Sequence, residues 1–200
     1  FDGIQVWVKG WENNPEAFVI AILPKDNDGN DKTKTGAVVA STCGLIIIEP
    51  LAPRISNVSL VQMTDLKIAG KIGEMIARYA ANLSLGTLED MFLKYQRAEK
   101  IADAEVRKAF IAKMPFAPNL SKENEQLKQD CEALISEFDK ADGAPVIKLK
   151  KPSVMGEMSM RKPERKSYCQ RSIAMGRCTD VIDAAPEEIL AWLFDYNSCE

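Results

Sequence analysis

Histidine is absent from the 200 residues, so imidazole, the usual general base near neutral pH, is not available. Triads built on imidazole are thereby excluded, and the commonest zinc ligand is missing. Carboxylates, lysines and thiols remain. Glu187 and Glu188 follow Pro186 directly, a spacing that complements the positive end of a helix and needs no catalytic role. Asp65 and Lys67 stand at a strand end, where they suit an ion pair. Five cysteines (Cys43, Cys131, Cys169, Cys178 and Cys199) form no C-x-x-C pair and are odd in number, which fits reduced thiols better than a disulfide framework. No G-x-x-x-x-G-K-[ST] phosphate loop occurs. On this chemistry the chain is expected to be no enzyme, with no catalytic residue, no metal site and no cofactor.

The composition sets further bounds. With 46% hydrophobic residues and a net charge of −3, neither nucleic acid nor an anionic membrane is the expected main partner. No apolar run reaches the roughly 18 residues of a membrane-spanning helix, and no signal peptide is visible. A cytoplasmic location follows, with peripheral membrane contact as a further expectation. That contact would come from the basic stretch 146–177, where Lys148, Lys150, Lys151, Arg161, Lys162, Arg165, Lys166, Arg171 and Arg177 face only Glu157 and Glu164. The plainer reading of the same stretch is a solvated linker. Tyr168 is its one aromatic residue, so the stacking platforms of single-strand nucleic-acid binders are missing.

The elements that must position these groups change character along the chain. Ile4, Val6 and Val8 alternate with Gln5, Trp7 and Lys9, the period of a strand with one buried face. Ala17–Leu23 is a continuous β-prone run stopped by Pro24. The spacing predicts further strands over 36–49, with a bulge or bend at Gly44, and over 54–63, joined by short turns in an antiparallel meander. From Ile68 the period becomes helical: Ile72, Met75, Ile76, Tyr79 and Leu83 recur on one face. A helix is predicted over 102–112. A second opens at Ser121 with Leu127, Cys131, Leu134, Ile135 and Phe138 as its apolar positions. A strand over 172–182 then leads to a helix beginning near Pro186, with Trp192 in its apolar body.

Two stretches resemble the START family, the steroidogenic-acute-regulatory-related lipid-transfer domains. Phe18-Val19-Ile20-Ala21, Gly36-Ala37-Val38-Val39-Ala40 leading into Gly44–Leu51, and Val58–Lys67 are similar to that domain's last strands, and the helix after them to its C-terminal lid. The family's Asp-x-Lys-Gly with a following Ile-Pro is altered here: Lys67 is followed by Ile68-Ala69-Gly70, and the proline is missing. Gly176–Tyr196 resembles the domain's first strand and following helix. The domain's end thus precedes its beginning. Two arrangements remain open: a piece of a tandem array, to which the non-Met start at Phe1 and the abrupt end at Glu200 point, or a circular permutant.

The resemblance implies an α+β, helix-grip-like fold, a curved antiparallel sheet packed on a long helix with additional linker helices, here as a fragment of a tandem-domain protein. Residues 1–114 would be the C-terminal part of one START-like domain, 115–170 a linker with one helix and the basic stretch, and 171–200 the start of a second domain. It also implies binding or transfer of a lipid or sterol-like apolar ligand through a cavity between sheet and lid helix, lined by Ile72, Met75, Ile76, Tyr79 and Leu83. Two other readings stand beside it. One is a non-catalytic interaction module with a solid core, in which the helix over 121–139 docks a partner. The other is an enzyme using carboxylate or lysine chemistry in the same cavity.

Overall fold

Continuous apolar runs make strands that need cover on both faces, and such runs form the middle of this protein. A computed structural model describes residues 3–11, 14–24, 41–65, 75, 104–116, 121–140, 142, 145–149, 157–161 and 174–198. Seven strands are present among the described residues: β1 (Gly3–Trp11), β2 (Asn14–Pro24), β3 (Ser41–Ala52), β4 (Ile55–Asp65), β5 (Ile147–Lys148), β6 (Glu157–Arg161) and β7 (Ala174–Ile182). Three helices have bounds within the described residues: α1 (Ala104–Lys113), α2 (Lys122–Asp139) and α3 (Pro186–Ser198).

The strands form one curved, unclosed antiparallel sheet in the order β1-β2-β3-β4-β7-β6-β5. The meander β1–β4 is as the sequence predicts. All three sequence segments, 1–114, 115–170 and 171–200, supply strands to this sheet. In particular β7 lies against β4, with Leu60 opposite Cys178 and Met63 opposite Met175. The middle segment contributes β5 and β6, in which Met158, Met160 and Arg161 are buried. That part of the basic stretch is sheet and not solvated linker.

Each face of the sheet carries its own core. On one, α2 places Leu134 and Phe138, with Ile135 half-buried, against Val6, Val8, Trp11, Val19, Leu45, Val61 and Met63. On the other, α3 places Ile189, Leu190, Trp192 and Leu193 against Phe18, Ile20, Ile46, Ile48 and Leu60, and α1 adds Phe110 and Ile111. Trp7 points to this second face and meets Phe110 edge-on at 5.9 Å. Alternate residues of β2 and β3 go to opposite cores, which is why both strands read as unbroken apolar runs.

Of the bulge or bend expected at Gly44, no bulge is present. The β3–β4 register runs through Gly44 without a shift, the β2–β3 pairing ends at it with Ile22 opposite Gly44, and the irregularity in β3–β4 falls between Pro50 and Ala52. A Cβ at position 44 would meet the Val61 carbonyl oxygen at 2.9 Å. The glycine therefore allows a close backbone approach rather than a bulge.

The helix ends follow local chemistry. Ser121 caps α2, its hydroxyl accepting from the Asn124 N–H at 3.3 Å. At α3 the Glu188 carboxylate accepts from the Ala185 N–H at 3.1 Å, half of a capping box. The turn before α3 is fastened to the sheet by Ser56, fully buried, whose hydroxyl donates to the Ala184 carbonyl at 2.7 Å.

Candidate functional site

Of the five residues expected to line a cavity, Ile72, Ile76, Tyr79 and Leu83 lie outside the described residues. Met75 is helical and 66% exposed. The candidate functional surfaces among the described residues therefore have to be built from other side chains.

The first is where α2 ends over β6 and β7. Side chains alternate along these strands, so Ser159, Arg177 and Thr179 share the α2 face with Ser59, the register partner of Thr179. The Ser59 and Thr179 hydroxyls are 3.2 Å apart and share a hydrogen bond. Ser159, Arg177 and Thr179, with Phe138, Glu157, Asp180 and Val181, line an open groove of ≈470 Å³. Arg177 pairs with the Asp139 carboxylate, and its guanidinium lies 5.9 Å from the Phe138 ring centroid. Such a groove offers hydroxyl groups, the Glu157 carboxylate and a guanidinium already paired with Asp139 beside an aromatic ring.

Behind the groove, Arg161 is 4% exposed. Its guanidinium donates to the carbonyls of Glu137, Phe138 and Lys140, the last at 3.0 Å. The last carbonyls of a helix have no partner within it and carry its negative end, so a buried arginine there satisfies donors and acceptors together. Two cations of the basic stretch, Arg161 and Arg177, thus hold the end of α2. Sequence reading missed this role. The signal was present only as two arginines in neighbouring strands, and it depends on the β6–β7 register that brings Arg161 opposite Met175 and Ser159 opposite Arg177.

A second groove of ≈400 Å³ lies on the α3 side of the sheet, between Lys9, Glu16 and Phe18, the β3–β4 turn at Pro50–Pro53, and Pro186 and Glu187 at the start of α3. Leu51 and Ile55 of that turn region are 61% and 40% exposed. Glu187 stands at this rim. Its neighbour Glu188 is turned back to the helix cap, so the acidic pair serves separate ends.

Among the described residues no group of three or more cysteine, aspartate or glutamate side chains is placed to hold a metal ion. Cys43 and Cys178 are buried thiols, neither in a disulfide, on opposite faces of the sheet. No described helix is long and apolar enough to cross a membrane. Compared with family models, with curated proteins and with solved structures, the chain matches none.

Proposed function

We propose that the protein binds an apolar ligand, a lipid or sterol-like molecule, between its curved sheet and a covering helix, without catalysis. The observation that carries this reading is the pairing of β4 with β7. The two stretches similar to the end and the beginning of a START domain are neighbours in one sheet, and this favours a permuted helix-grip-like unit over two separate repeats. A helix lying across β1–β4, with an apolar sheet face beneath it, supports the same reading. Removing an acyl chain from water contributes about 0.8 kcal/mol per CH₂, so a ligand of this class needs few polar contacts. Native mass spectrometry of the chain purified from cells is expected to show a releasable apolar molecule. A bare polypeptide mass, unchanged after incubation with extracted cell lipids, would sink the lipid reading.

A second reading, a non-catalytic interaction module, is favoured by a different observation: both described cores are filled by side chains that are at most a few per cent exposed. On that reading α2 presents its outer face to a protein partner. The same experiment separates the two, since a module with a solid core retains no ligand and takes up none.

A further inference from the structure

The register of the sheet sets its side chains in rows across the face that α2 covers. One row runs Val8, Val19 and Ile47 over β1–β3, then Ser59, Thr179 and Glu157 over β4, β7 and β6. The next runs Val6, Ala21, Leu45 and Val61, then Arg177, Ser159 and Lys148. The members on β1–β3 are buried in the core beneath α2, whereas Glu157, Ser159, Arg177 and Thr179 line the open groove at the helix end. One face of the sheet is thus apolar over one half and polar over the other, and the change falls between β4 and β7.

The charged side chains that the register brings to the polar half balance. Arg177 and Lys148 stand against Glu157 and, at the end of α2, Asp139. Lys140 and Asp142, both exposed, add one charge of each sign. Buried Arg161 and buried Asp180 are each bonded to backbone groups, the first to the α2 carbonyls and the second to the Val181 N–H.

We propose that the groove receives the head of an amphiphile whose head group carries no net charge, with its chain running along the rows beneath α2 towards β4 and β3. The inference rests on the ligand-binding reading and adds to it a place and a chemical class for the polar end. An anionic head meets Glu157 and Asp139, a cationic head meets Arg177 and Lys148, and a balanced lining offsets the desolvation of neither. Uncharged hydrogen-bonding groups fit better. In the Ser59–Thr179 pair one hydroxyl donates to the other, which leaves the pair one O–H to donate and lone pairs to accept, and Ser159 adds a third hydroxyl. Phe138 belongs both to the groove and to the core, so the chain enters as the end of α2 lifts.

The test offers the full chain vesicles holding equal amounts of diacylglycerol, phosphatidylcholine and phosphatidylserine with the same acyl chains, and reads the retained lipid by native mass spectrometry. The two lipids without net charge are expected to exceed phosphatidylserine by about tenfold. Glu157→Lys, at an exposed position, should turn that ratio towards phosphatidylserine by about the same factor. Glu16→Lys, the same charge change at an exposed site on the other face, leaves the ratio as in the parent. Thr179→Val lowers retention of all three by about three- to tenfold. Equal retention of the three lipids, a parent that prefers phosphatidylserine, or a ratio moved equally by Glu16→Lys overturns the head-group assignment and leaves the ligand-binding reading standing. Retention of none of them overturns both.

Discussion

The two faces of the sheet hold their helices by different means. On the α3 face the attachment is apolar burial: Ile189 and Leu190 are at most 1% exposed, Trp192 and Leu193 are 5% and 4% exposed, and all four are in the core. On the α2 face only Leu134 and Phe138 of the described helical side chains are fully buried, with Ile135 beside them. Among the described residues a polar attachment is added at the C-terminal end of the helix, where Arg161 takes the last carbonyls and Arg177 takes Asp139. Lys128, 5.7 Å from the Trp11 ring centroid, adds a cation over an aromatic near the middle of the helix. Apolar burial is spread along a helix and is lost only when the whole element leaves. A clamp of hydrogen bonds at one end can act as a pivot. The expected consequence, tested below, is that α3 stays docked under conditions in which α2 opens.

This contrast can be broken most severely on the α3 face. Leu190→Ala removes a fully buried side chain and is expected to lower global stability by about 2–5 kcal/mol in chemical denaturation. Leu134→Ala in α2 should cost less, since a helix held elsewhere can settle towards the sheet. Equal losses at the two positions would erase the distinction between the faces.

The clamp is the next target. Arg161→Met keeps much of the side-chain volume but leaves the Glu137, Phe138 and Lys140 carbonyls without their shared donor. A cost of about 1–3 kcal/mol is expected. Its location matters more than its size: hydrogen exchange should show amides of α2 losing protection while those of α3 keep theirs. Uniform loss across both helices would mean that Arg161 supports the sheet as a whole and is no pivot.

The smallest effect is expected at the groove. Asp139→Asn removes the partner of Arg177 at a site where the carboxylate is 52% exposed and the guanidinium 31% exposed. Exposed ion pairs contribute roughly 0–1 kcal/mol, so the denaturation midpoint should hardly move, and it should become less sensitive to salt. A loss as large as that of Arg161→Met would place the pivot at Arg177 instead.

The comparison also shows what could be read from the sequence. Elements set by local signals were legible: the alternation of Val6 and Val8, the cap at Ser121 of α2, and the Pro186-Glu187-Glu188 start of α3 each depend on residues within a few positions. The unbroken run Ala17–Leu23 signals a strand, and its continuity also signals a sheet covered on both faces, a feature that the helix-grip expectation leaves out. The strand β6 was obscured because Glu157-Met158-Ser159-Met160-Arg161 lies among lysines and arginines and its alternation spans only five residues. Arg161 looked like one more surface cation, and only the register with β7 turns it inward. The expected cavity wall at 72–83 lies outside the described residues apart from Met75, so the candidate grooves come from residues whose proximity is long-range in sequence and carries no local signature.

The place of β7 in the sheet has a consequence for how the molecule is made. Ser59 and Thr179, bonded across β4 and β7, are 120 positions apart, and the Ser56–Ala184 bond spans 128. Contacts this distant raise contact order and slow folding. During synthesis at about 5–20 residues per second, β4 must wait on the order of ten seconds for its neighbour. Throughout that interval an apolar meander presents an unfilled edge, open to any passing strand. A nascent chain of this design should depend on chaperones that cover such edges far more than the finished protein does.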